Sequence, residues 1–129
     1  MVKTEQTILN AAALEQIFKG IQERLHWPII HELLNDLSAR EKKLFCALHE
    51  ENNAACRLQL HSLKSLAETF GLTALSCYLK EMENIQGRGL YTAIKKDAPY
   101  FARLVGQSRE ALLAYMSRHR PGSKRLKRA

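Results

Sequence analysis

The stretch Leu60-His61-Ser62-Leu63-Lys64-Ser65-Leu66-Ala67-Glu68-Thr69-Phe70-Gly71 decides how the chain folds. At about 100° of rotation per residue, Leu60, Leu63, Ala67 and Phe70 fall on one side of a helix, and His61 points roughly 140° away from their mean direction. Asn53, Arg57, Lys64, Ser65 and Glu68 share the side of the histidine. The segment therefore reads as an amphipathic helix with a solvated imidazole, an ammonium one turn along and a small hydroxyl beside it. Gly71 can take the left-handed conformation that ends such a helix, and Glu51-Asn52-Asn53 supplies cap residues ahead of it.

Outward from this segment, Thr73 is placed to cap a helix whose inner stripe is Leu75, Tyr78, Leu79 and Met82 and which ends at Gly87-Arg88-Gly89. Upstream, Trp27-Pro28 starts a helix spanning roughly 28 to 50, because a proline in the first turn loses no helical hydrogen bond. Its apolar positions are Ile30, Leu33, Leu34, Leu37, Leu44, Phe45 and Leu48. Asn10 caps a short first helix carrying Leu14, Ile17, Phe18 and Ile21. Downstream, the stripe Leu90, Ile94, Phe101, Leu104, Val105, Leu112 and Tyr115 crosses Pro99, which predicts one kinked helix or two helices meeting there. Long helices joined by short connections give the expected fold class: all-α, an antiparallel up-down-up-down four-helix bundle with a short additional N-terminal helix.

A chain of 129 residues is one domain's length. Its net charge of +7 is unevenly placed: residues 118–129 hold six of the twenty Lys and Arg and no acid, so the remainder carries 14 bases against 13 acids. The tail has too little apolar surface to offset the entropy of ordering it, so the domain is expected over 1–118 with a disordered basic tail over 119–129. Without an apolar run long enough for a membrane span, or the basic-then-apolar order of a secretory signal, the expected location is the cytoplasm. Met1 and the basic tail lean toward a free-standing protein. Cys46, Cys56 and Cys77 show no metal-ligand spacing and read as reduced, buried thiols. His26 and His31 are five apart, off a common helix face, so no metal is expected. Gly87-Arg88-Gly89 lacks the flanking strand of a phosphate-cradling loop, which disfavours an ATP-dependent kinase.

The run His61-Ser62-Leu63-Lys64-Ser65 followed by Gly71-Leu72-Thr73-Ala74-Leu75 resembles the signature of histidine-containing phosphotransfer domains, of the form His-x-Leu-Lys-Gly and then Gly-x-x-x-Leu. With the flanking helices, the resemblance covers most of residues 10–118. It implies a phosphorelay intermediate of two-component signalling that is no enzyme: a carrier, with neither ATP site nor autokinase activity, moving a phosphoryl group between aspartates of receiver domains. His61 would be the phosphoacceptor, Lys64 would stabilise the phosphoryl group, and Glu83 would orient the imidazole by accepting a bond from its other N–H. The implied partners are response-regulator receivers and a hybrid sensor histidine kinase. The chain itself needs no cofactor, and magnesium comes with the receiver. Arg57, Leu58, Ser65 and Glu68 would dock that partner. Ser65 stands where the family most often has Gly, Leu60 where it commonly has Ala, and Glu68 where a small residue is frequent; Glu68 is also within i,i+4 reach of Lys64.

The residues can support that chemistry. Histidine changes charge between pH 5 and 8, so a solvated ring offers a nucleophilic nitrogen at neutral pH. A lysine one turn away screens incoming phosphate, though a charge pair at 4 Å in water is worth only about 1 kcal/mol. Most transition-state stabilisation would therefore come from the partner. Two rival readings differ in class. One is a helical adaptor that holds nucleic acid or an anionic surface through Arg118, Arg120, Lys124, Arg125, Lys127 and Arg128. Nucleic acid is disfavoured, because no aromatic residues interleave the basic ones. The other is a bundle that binds a receiver without accepting phosphate.

Overall fold

The computed structural model describes residues 7–119, and these form helices and turns with no strand among them. The helices are α1 (Ala11–Phe18), α2 (His26–His49), α3 (Asn53–Thr69), α4 (Thr73–Glu83), α5 (Gly89–Lys96) and α6 (Ala98–His119), with one 3-10 turn at Glu23–Leu25. α6 thus reaches His119, the first residue of the expected basic tail. The rest of the tail lies outside the described residues. No helix among the described residues is long and apolar enough to cross a membrane.

Each helix buries the stripe that its periodicity marks. In α3, Cys56, Leu60, Leu63 and Ala67 are buried, with Phe70 half-buried behind them. α2 contributes Ile30, Leu33, Leu34, Leu37, Leu44, Ala47 and Leu48, and α4 contributes Ala74, Leu75, Tyr78, Leu79 and Met82. A leucine taken fully out of water stabilises the fold by about 1.5–3 kcal/mol. α3 packs against both α2 and α4, and α6 packs against the same two helices. Phe101 of α6 stands between Phe45 of α2, at a ring-centroid distance of 5.7 Å, and Tyr78 of α4, at 6.0 Å. Further along α6, Arg109 donates to the Leu34 carbonyl at 2.8 Å and to Ser38 Oγ at 2.6 Å.

The starts and stops of the helices show where local reading suffices. Asn10 Oδ1 accepts from Ala12 N and Asn52 Oδ1 from Ala55 N, so both expected caps form. α3 ends on Gly71 at φ +74°, with Leu72 N donating to the Ala67 carbonyl at 2.8 Å. Thr73 does not cap α4. It is the first helical residue, and its hydroxyl donates to the Gly71 carbonyl at 3.3 Å. The first N–H groups of the helix, those of Thr73 and Ala74, instead donate to the backbone carbonyls of Ile8 and Thr7, at 3.1 and 3.2 Å. α4 also ends at Glu83, ahead of the expected stop at Gly87-Arg88-Gly89.

Pro99 marks two helices, with the break at Asp97. A proline ring clashes with the carbonyl four residues earlier and has no N–H to offer it, so the chain is re-initiated before the proline and Pro99 falls in the first turn of α6. Of the three cysteines only Cys56 is buried. Cys77 is intermediate and Cys46 exposed, because two residues beyond Leu44 the helix has turned to its outer side. Burial pushes the Cys56 thiol up from its ordinary titration range.

Candidate functional site

α3 commits Leu60 and Leu63 to the core, which forces the intervening residue His61 outward, where 65 % of its side chain is exposed. α4 lies against this part of α3 and brings Glu83 to the ring. Glu83 Oε2 is 3.0 Å from His61 Nδ1, and Glu83 Oε1 is 2.6 Å from Lys64 Nζ. One carboxylate therefore spans the imidazole and the ammonium. Since an ionised carboxylate only accepts, the proton of the neutral ring sits on Nδ1, and Nε2 keeps its lone pair.

The electrostatics agree with the distances. The hydrogen bond from Lys64 holds the Glu83 carboxyl below its usual range, aided by the bond from His61 and opposed by partial burial. The same bond raises Lys64 above its ordinary value, against a smaller desolvation effect. Lys64 is thus paired across to α4. The within-helix pairing available to Glu68 is not made, although Glu68 adds to the field that raises the lysine.

Among the residues expected to dock a partner, Leu58 is 60 % exposed, an unusual degree for a leucine, and Ser65 and Glu68 are also exposed. Arg57 is different. Its guanidinium donates to the carbonyls of Ile85, at 2.7 Å, and Gly87, at 3.3 Å, so it ties α3 to the connection that follows Glu83. Its charge is used inside the chain, fixing the segment from which Glu83 reaches the ring.

On the α2 side of His61 lies an open groove of about 360 Å³, with Arg40 and Asp36 on one wall, Ser62 and Ser65 on the other, and Leu66 and Phe70 at its floor. Sequence reading gave no role to Arg40. The signal was a reflection: α2 and α3 turn back on each other near Glu51, so a residue about ten positions after the turn faces one about ten before it. The same reflection about Gly71 sets Glu83 near His61. Among the described residues no cluster of three or more His, Cys, Asp or Glu could hold a metal ion.

Comparison with known proteins finds no family model, no curated protein and no solved structure that matches this chain.

Proposed function

We propose that the chain is a histidine-containing phosphotransfer protein, in which α2, α3, α4 and α6 form an up-down-up-down four-helix bundle with α1 as a cap, and His61 carries a phosphoryl group between receiver aspartates. The observation that carries this reading is the exposed His61 ring with Nδ1 fixed on Glu83 and Lys64 on the same carboxylate. An imidazole held in one tautomer by a carboxylate, on an exposed helix face, suits attack on a group presented by another macromolecule.

In the forward step the Nε2 lone pair attacks the phosphorus of an aspartyl phosphate. The N–P bond forms, the P–O bond to the acyl oxygen breaks, and the aspartate carboxylate leaves with the electron pair. The ring then carries positive charge, which the Glu83 carboxylate stabilises through the Nδ1 proton. Delivery to a second aspartate reverses these events. The chain supplies the nucleophile and its orientation, and the receiver supplies magnesium and the acid partner. The exposed Leu58 beside His61 gives a receiver an apolar contact. The setting for such a relay is the cytoplasm.

The test is transfer from a phosphorylated receiver. Wild-type protein should gain acid-labile, base-stable label, and His61→Gln should gain at least 100-fold less while unfolding at the same temperature. Equal label on the two proteins would sink the assignment.

A further inference from the structure

Three arginines among the described residues are neither buried nor fully exposed: Arg40, Arg57 and Arg109. Two have their guanidinium groups bonded to backbone carbonyls, Arg57 to Ile85 and Gly87, and Arg109 to Leu34. Arg40 makes no hydrogen bond or ion pair among the described residues, and it lines the groove that His61 also lines. A half-covered guanidinium with its five donors unanswered is a site for a planar or tetrahedral oxyanion.

The imidazole fixes where that oxyanion would be. The two ring nitrogens point to opposite sides of the ring, so with Nδ1 turned to Glu83 on α4, Nε2 faces away from α4. A group attached to Nε2 projects to the side where the groove and α2 lie. Lys64 does not answer this charge fully, because its ammonium is already neutralised by Glu83 at 2.6 Å. The groove, by contrast, offers an unpaired cation and the hydroxyls of Ser62 and Ser65.

We propose that Arg40, with Ser62 and Ser65, forms the subsite that holds the phosphoryl oxygens on His61, so that the principal phosphate-binding cation comes from α2 rather than from Lys64. This rests on His61 being the phosphoacceptor. Ser65 then has a purpose that a glycine could not serve: its hydroxyl donates to the transferred group. Asp36, one turn before Arg40 on α2, lines the same groove, and its carboxylate offsets part of the positive field there, so the guanidinium and the two hydroxyls must act by direct hydrogen bonds.

The experiment needs no partner protein. Phosphoramidate is a small phosphodonor: Nε2 forms its bond to phosphorus as the P–N bond breaks, and ammonia leaves with that electron pair. The full chain is incubated with phosphoramidate at fixed ionic strength, and the label and its ³¹P chemical shift are followed by NMR. Arg40→Gln should label about 10-fold more slowly than wild type and give a shifted ³¹P resonance; Arg40→Lys should recover part of the rate. Lys43→Gln removes a charge from an exposed position of the same helix and should leave both readouts unchanged. If Arg40→Gln and wild type label at the same rate with the same ³¹P shift, the subsite is overturned while His61 stands. An equal slowing by Lys43→Gln also overturns it, because general surface charge then suffices. Absence of His61 label on the wild type overturns both readings. Should Arg40→Gln fail to fold, the rate and ³¹P shift of Arg40→Lys decide: values identical to wild type overturn the subsite.

Discussion

At Glu51 and at Gly71 the chain leaves a helix in the same way. The backbone takes φ of +55° and +74°, and the next residue donates back to the carbonyl five positions earlier: Asn52 to Ala47 at 2.9 Å, Leu72 to Ala67 at 2.8 Å. What surrounds the two turns differs. Glu51 is exposed, whereas Gly71 is buried under α1, with Asn10 N donating to its carbonyl at 2.7 Å. A side chain added at Gly71 would start 2.7 Å from the Asn10 carbonyl oxygen and 2.8 Å from Ala13 Cβ. The same backbone geometry is thus tolerated with glutamate where the turn faces solvent, and demands glycine where another helix crosses it. Both turns bound α3, so the helix bearing His61 is anchored more firmly at its end than at its start.

The strongest attempt to break this comparison is Gly71→Ala. It adds left-handed strain to a clash with backbone, and should cost about 2–4 kcal/mol in denaturant unfolding. A loss below about 1 kcal/mol would mean that α1 gives way easily. The start of α3 is tested by Asn52→Ala, which removes the acceptor for Ala55 N and should cost about 1 kcal/mol. Glu51→Gly runs the other way: relief of the left-handed strain outweighs the added chain entropy, for a gain of about 0.5–1 kcal/mol. A destabilised Glu51→Gly protein would show that the glutamate side chain contributes at that turn.

The smallest effect lies at the Glu83 carboxylate, which α4 brings to His61 and Lys64 on the helix between the turns. The native Glu83 carboxyl is lowered, so its contribution to stability is complete above the ordinary carboxylate range, about pH 4.3, and is lost as pH falls through the lowered value. Lys64 is raised, so its contribution is complete below about pH 10.4 and is lost as pH rises through the raised value. The difference in unfolding temperature between wild type and Glu83→Gln should therefore be present at neutral pH and shrink at both extremes. A difference that fails to shrink at either extreme would contradict the shared carboxylate.

Much of α3 was legible in its sequence because its determinants are local. Leu60, Leu63 and Ala67 repeat at helical spacing, and a glycine after Phe70 is what a left-handed stop favours. The misreadings at Thr73, Lys64 and Arg57 share one cause, a partner distant along the chain. Thr73 has the side chain of a cap, yet the acceptors at that helix start are main-chain oxygens of Thr7 and Ile8. Lys64 has Glu68 within reach on its own helix and pairs instead with Glu83, because α4 packs closely enough for a direct bond. Arg57 reads as free surface and is bound to carbonyls about 30 residues away. Periodicity reports which way a residue faces; it does not report what another segment places there.

The oxygens that accept from Thr73 and Ala74 belong to the peptide backbone, so any residue at positions 7 and 8 can provide them. Thr7, which is exposed, should tolerate almost every substitution that preserves the path of the chain, whereas Ile8, half-buried against the core, should tolerate apolar ones. Removing one residue between Ile8 and Asn10 would shift the register of the strap across α4 and leave its first N–H groups unanswered. A substitution scan would call Thr7 neutral, while a deletion scan would find the segment indispensable.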